Sequence, residues 1–228
     1  MTILHIETST NVCSVAVSHN GECIFEISNR DGLNHAAMLS TFVQQALDTL
    51  GKSGLKPDAV AVSEGPGSYT GLRIGVSTAK GLCYGLDIPV ITVSTLEILA
   101  VEALKHIKME ENTLLCAMID ARRMEVYTAL YKPTLEIVED ITAKIINENS
   151  YINFTDKQPV YFFGNGSEKC KELLSCPNAH FIPDIEPLAI NMITIAEMKF
   201  TANRFANLAY FEPFYLKEFQ ATTPKPLL

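Results

Sequence analysis

The stretch SEGPGSYTGLRIG, residues 63–75, places four glycines within eleven positions, 65–75, where a strand runs into a helix. Upstream, DAVAVS (58–63) has the unbroken apolar character of a buried strand. Pro66 favours an extended residue before it, and Ser68 or Thr70 can cap the helix that continues through GLRIGVSTAKGLCYGL (71–86). Glycine inside a helix costs about 0.5–1 kcal/mol relative to alanine, so Gly75, Gly81 and Gly85 are expected to be compensated by close packing. At 100° per residue Leu72, Val76, Ala79 and Cys83 share one face and Ile74, Thr78, Gly81 and Gly85 another. Only Arg73, Ser77, Lys80 and Tyr84 remain as a polar strip, so the helix needs two neighbours.

Working outward, TILHIE, VCSVAVSH and ECIFEIS read as a three-stranded antiparallel meander that turns at Asn20 and Gly21. Over residues 33–50 an apolar stripe at Ala36, Leu39, Val43, Ala46, Leu47 and Leu50 marks a helix ended by Gly51, with Met38 and Phe42 widening the stripe. The order then repeats. LLCAMID and MEVYTALYK are strand-like, TLEIVED is a candidate third strand, a short helical segment falls near 141–147, and PVYFFGNGS is again strand then turn. Glu7 matches Asp120, and Gly65–Ser68 matches Gly164–Ser167 in a shared GxGS. A lone GxG says little, and the bland reading is coincidence, but two acidic strand ends and two GxGS turns in one order outweigh either alone. Duplicated βββαβα units are the plan of the α/β, actin-like (ASKHA) ATPase fold, two tandem ribonuclease H-like domains facing a cleft. The boundary is expected near residue 105, giving lobes of 1–105 and 106–228. The second holds a helix starting after Pro187 and a proline-containing tail whose last residues are expected to be mobile.

Of 228 residues 47% are hydrophobic, enough to bury a core, and the formal charge of −8 with no basic run opposes direct contact with a polyanion. The six cysteines lie mostly in apolar runs without a CxxC pair, and no secretion signal or membrane span is seen. A cytoplasmic protein with inert thiols is expected. The five histidines show no HxxxH or HxxE spacing that would put two ligands on one helical face, no metal or other cofactor is indicated, and no GxSxG elbow occurs.

In working actin-like ATPases two hairpin turns cradle the nucleotide phosphates, with small residues letting backbone N–H groups close on the oxygens. Here the turns are ETSTNV and DARRMEV, neither containing glycine. Thr8, Ser9 and Thr10 could still donate to an anion and Arg122 or Arg123 could pair with one. With Gly65, Gly67, Gly164 and Gly166 they form a candidate vestigial anion or nucleotide site. The competing reading is that Glu7 and Asp120 only cap their turns and the arginines are solvated.

ILHIETST, EGPGSYTGLRIG, IDARRMEVY, FFGNGS and EPFYLK together resemble the bacterial TsaB family, formerly YeaZ, across essentially the whole chain. The chain departs from that pattern at Glu7, where Asp is usual, and at Lys217, where Arg is usual. The family is similar to TsaD, the enzyme that attaches threonylcarbamoyl to adenosine 37 of tRNAs reading ANN codons, but lacks its metal ligands. In IPVITVSTLEILA the places of the TsaD histidine pair are held by Thr95 and Leu99. Leucine cannot ligate a metal. The resemblance therefore implies a pseudoenzyme that pairs with TsaD, acts with the ATPase TsaE, touches tRNA only through TsaD, and forms a homodimer when TsaD is absent. The two helices of the first lobe would supply the contact through Met38, Phe42, Leu72, Arg73, Val76, Ala79, Lys80 and Cys83. The plain alternative is that Met38 and Phe42 are ordinary core. Competing functions are an active ATPase or small-molecule kinase, and a peptidase acting on TsaD.

Overall fold

The computed structural model describes residues 1–32, 34–107 and 112–217. Strands β1 (Thr2–Glu7), β2 (Cys13–His19) and β3 (Glu22–Asn29) form the expected meander. Asn20 and Gly21 both take positive φ, 51° and 85°, the backbone that lets a two-residue turn follow the twist of its strands. Helix α1 (His35–Lys52) leads to β4 (Ala59–Gly65), parallel to β1, and α2 (Tyr69–Leu86) leads to β5 (Val90–Ser94), parallel to β4. The first sheet therefore runs β3-β2-β1-β4-β5.

The second sheet follows the same path. Strands β6 (Leu114–Asp120), β7 (Glu125–Tyr131) and β8 (Ile137–Ile145) form a meander. The short helix α4 (Ile152–Thr155) precedes β9 (Val160–Phe163), parallel to β6, and β10 (Ala179–Ile182) closes the order β10-β9-β6-β7-β8. The duplication is thus real, and the molecule is a two-lobed α/β protein of the actin-like kind.

The period-2 alternation of the strands sorts the core into layers. Leu4 and Ile6 of β1 and Val60 and Val62 of β4 face α1 and α2, meeting Leu39, Phe42, Val43, Val76 and Ala79. Ile3, Ala59 and Ala61 face the other way, against helix α3 (Thr95–Leu104) and helix α5 (Ile193–Thr201). Helix α3 is apolar on nearly every side because it lies between the sheets. Its Ile98 joins the first-sheet core, while Leu96, Leu99, Ala100 and Ala103 pack against Leu115, Ala117 and Ile119 of the second sheet. Each fully buried aliphatic side chain of this kind contributes about 1.5–3 kcal/mol.

Three expectations are corrected. Residues 141–145 belong to strand β8 rather than to a helix, since Ile141, Thr142 and Ile145 continue the β-branched run from Ile137 and keep pairing with β7. The two sheets part between Leu104 and Leu114, but the stretch assigned to the second lobe does not all stay with it. A short 3-10 turn, Ala189–Met192, and α5 return to the first sheet, because Met192, Ile195 and Ala196 complete the apolar face that Ile3, Ile91 and Val93 would otherwise leave bare. Helix α1 runs past Gly51 to Lys52. The expectation about the last residues of the tail, 218–228, lies outside the described residues.

Candidate functional site

Between the lobes lies a cleft of about 1040 Å³ whose lining includes Ser9, Thr10, Gly67, Ser68, Arg122 and Asn165. Of the candidate anion-binding residues, Ser9, Thr10, Gly67 and Arg122 reach this cleft. Thr8, Gly65, Gly164 and Gly166 are not among its lining and do structural work behind it.

Each hairpin is built around its acidic strand end. Glu7 accepts the backbone N–H of Ser9 on Oε1 at 2.5 Å, and Asp120 accepts that of Arg122 on Oδ1 at 3.0 Å, the same bond two residues on in both lobes. Glu7 is fully buried, and burial pushes its carboxyl up to about 7 against the opposing pull of hydrogen bonds from Ser9 and Ser63. Asp120 is exposed and pairs with Lys169, whose Nζ also donates to the carbonyl of Glu125 at 2.7 Å. Arg122 and Arg123 occupy the tip of the second hairpin at φ 71° and 50°, both exposed.

The glycines of the opening stretch approach this chain's own backbone. A Cβ on Gly67 would fall on the carbonyl of Ser9, one on Gly71 on the carbonyl of Thr8, and one on Gly75 on the Thr8 hydroxyl, each closer than real Cβ contacts allow. Thr8 Oγ1 donates to the carbonyl of Gly71 at 2.8 Å, and Ser68 N donates to the carbonyl of Ser9 at 2.6 Å. Gly71 and Gly75, spaced four apart, line the side of α2 that presses on the first hairpin, and Gly67 continues that contact from the turn before the cap. Ser68 is the cap, its Oγ accepting from Gly71 N at 3.2 Å. The Thr8 hydroxyl and the Ser9 N–H are therefore committed internally, and α2 fills the space beside them. In the second lobe a Cβ on Gly166 would lie 2.8 Å from the carbonyl carbon of Ile119, and one on Gly164 would lie 2.3 Å from the carbonyl oxygen of Met118 and 3.2 Å from Leu99 Cδ1.

The proposed contact residues need correction. Phe42, Leu72, Val76, Ala79 and Cys83 are buried within this chain, four of them in the α1–α2 core and Leu72 beside Gly65, so they offer no surface to a partner. Met38 is half-buried against the same core. Arg73 stacks its guanidinium over the Tyr69 ring at 4.8 Å, and Lys80 donates to the carbonyls of Ala209 and Phe211 at 3.2 and 3.0 Å. Helix α1 and the returning tail thus cover the Val76, Ala79 and Cys83 face and engage Lys80, while the Ile74, Thr78, Gly81 and Gly85 face stays half-buried to exposed. Gly81 and Gly85 are exposed with no atom within 4 Å of a Cβ, so the close packing expected for them is absent among the described residues.

Sequence reading missed Asn165, Lys169 and the tail. Asn165 Oδ1 accepts from Asp120 N at 2.9 Å, a bond that the matched GNGS and strand end could have suggested. Nothing local announces that Phe214 N returns to the carbonyl of Glu64 at 2.6 Å or that Lys217 pairs with Glu125. Among the described residues no helix is long and apolar enough to cross a membrane.

The family model for TsaD, tRNA N6-adenosine threonylcarbamoyltransferase, matches residues 29–225. The chain is 34% identical over 178 residues to the tRNA threonylcarbamoyladenosine biosynthesis protein TsaB of Bacillus subtilis, covering 76% of this chain and 75% of that protein. It is 28% identical to TsaB of Haemophilus influenzae, covering 95% and 94%. Its fold is similar to the solved structure of YeaZ from Pseudomonas aeruginosa, with a TM-score of 0.78 and 28% identity over 94% of this chain and 99% of that one. These matches over most of the chain place it in the TsaB family of tRNA threonylcarbamoyladenosine biosynthesis proteins.

Proposed function

We propose that this chain is a non-catalytic partner of TsaD in forming threonylcarbamoyl-adenosine in tRNA, acting with TsaE in the cytoplasm and meeting tRNA only through TsaD. The observation that carries the proposal is the seal between α2 and the first hairpin: Gly67, Gly71 and Gly75 bring α2 onto Thr8 and Ser9, where a phosphate would have to sit. The Thr8 hydroxyl and the Ser9 N–H, already bonded within the chain, are not free to organise a transferring group. Thr95 and Leu99 support the same reading. Both are buried on α3, and Leu99 packs toward Gly164.

The surface proposed for TsaD, and for a second copy when TsaD is absent, is the outer side of α1 and α2. There Ala37, Ser40 and Thr41 are exposed, as are Gly81 and Gly85, while Ile74 and Thr78 are half-buried. Small side chains let helices approach closely, in place of the large apolar residues now known to be internal.

Reconstitution with purified TsaD, TsaE and tRNA tests the function: modification should require this chain, and the isolated chain should neither turn over ATP with Mg²⁺ nor cleave TsaD. Micromolar ATP binding with turnover by the chain alone would replace this reading with the kinase or ATPase one. A Thr41→Arg, Gly81→Arg double variant should lose TsaD in size-exclusion chromatography with its circular dichroism intact; unchanged co-elution would move the interface elsewhere.

A further inference from the structure

Among the described residues the segment after α5, 202–217, forms no helix and adds only an isolated bridge between Ala206 and Val90 to the sheet, yet it is held along that length. Arg204 N donates to the carbonyl of Lys199 at 2.8 Å, and Ala206 N to that of Val90 at 2.9 Å on the edge strand β5. Ala206, Leu208 and Phe211 pack against the α1–α2 core. Lys80 gathers the carbonyls of Ala209 and Phe211, and Phe214 N reaches Glu64. A Cβ on Gly65 would lie 2.7 Å from the carbonyl oxygen of Phe214, so only glycine at that position, at φ 113°, lets this segment lie flat on the turn. The Tyr215 ring then rests on Tyr69, centroids 4.8 Å apart. Residues 214–217 form part of the cleft wall.

The two ends of this segment are fastened unequally. Toward the first lobe it has backbone bonds, a lysine bridge, apolar packing and a ring contact. Toward the second lobe, among the described residues, it makes one ion pair, Lys217 to Glu125, with side chains 46% and 18% exposed. Glu125 is a poor place for slack, because its carbonyl accepts from Ala121 N and its own N–H bonds the carbonyl of Arg122, closing the second hairpin.

We propose that residues 203–217 are a strap that sets the opening of the cleft, and that the Lys217–Glu125 pair is its releasable end. When that pair parts, the strap stays on the first lobe and the second hairpin is freed to move away from it. A partly exposed ion pair weakens as salt rises, so the latch answers to ionic strength.

Hydrogen exchange on the full chain tests this, following peptides that cover 121–127 and 211–217, in Lys217→Glu, Glu125→Lys and the double charge swap. Each single variant should exchange about two- to fivefold faster in both peptides, with β1 and β4 unaffected, and the swap should return both to the wild-type rate. Half-molar sodium chloride should reproduce the single variants in the wild-type chain. Unchanged exchange in both single variants, a swap that fails to restore either peptide, or acceleration spreading to β1 and β4 would overturn the latch. Lys217 is exposed, so Lys217→Glu keeps the test available if Glu125→Lys fails to fold.

Discussion

At the end of β1 Glu7 accepts the N–H of Ser9, and at the end of β6 Asp120 accepts that of Arg122, so both lobes tie their first turn with one bond. The surroundings then diverge. Glu7 is sealed from water beneath an eighteen-residue helix, whereas Asp120 stays wet and borrows a lysine, and the turn behind it leads only into a three-residue 3-10 segment, Glu168–Cys170. The lesson is that a duplicated frame fixes the hairpin geometry but not its dielectric. One corner has become core and the other has remained a surface.

That contrast can be broken most forcefully at the glycines. Gly71→Ala should cost on the order of 3 kcal/mol or more by urea denaturation, because the new Cβ would lie 2.1 Å from the Thr8 carbonyl oxygen, backbone that cannot swing aside. Gly166→Ala should cost about 1–3 kcal/mol, its nearest neighbour lying at 2.8 Å. Equal losses would mean that the corners are equally tight.

The buried acid gives the next effect. Its folded value of about 7 exceeds the ordinary 4.5, so the stability linked to Glu7 is complete below about pH 4.5 and is lost as pH rises through 7, by at most about 3 kcal/mol. His5 works the opposite way: burial lowers it from 6.5 to about 3, so its share is complete above pH 6.5 and is lost as pH falls toward 3. Between pH 4.5 and 6.5 the two slopes oppose. Glu7→Gln should therefore turn a nearly flat wild-type profile into one that rises across that window, read from denaturation midpoints at each pH; a variant as flat as the parent would deny Glu7 its buried acid character.

Smaller effects sharpen the picture. Gly81→Ala should stabilise by about 0.5–1 kcal/mol, the reverse sign to Gly71→Ala in the same helix, since Gly81 meets nothing. A substitution there that destabilised would place an unseen neighbour over α2. Asp120→Asn should cost under about 1 kcal/mol in thermal melts, and less in high salt, as befits a wet corner.

The strands of both meanders with β4 and β9, both GxGS turns and Ser68 as one of two cap candidates were legible because their signals are local: alternation, turn chemistry and a hydroxyl before a periodic run; β5 and β10 were not expected. The reading of Phe42 and Val76 as surface failed because periodicity shows that a helix has two apolar sides without showing who covers the second. The packing of α1 on α2 supplies part of that answer and the path of residues 203–217 the rest, the latter written in contacts more than a hundred positions apart. Residues 141–145 were misread because Ile141 and Ile145 sit four apart, the spacing of a helical face, while the flanking β-branched residues favour a strand. The glycine-rich stretch itself was correctly read as needing a close neighbour; that the neighbour is Thr8 and Ser9 required the fold.

Helix α3 lends its side chains to the interiors of both lobes at once. Neither half owns a complete interior, so the protein should melt in a single cooperative step, and severing the halves would leave each with an oily flank that only the other can cover.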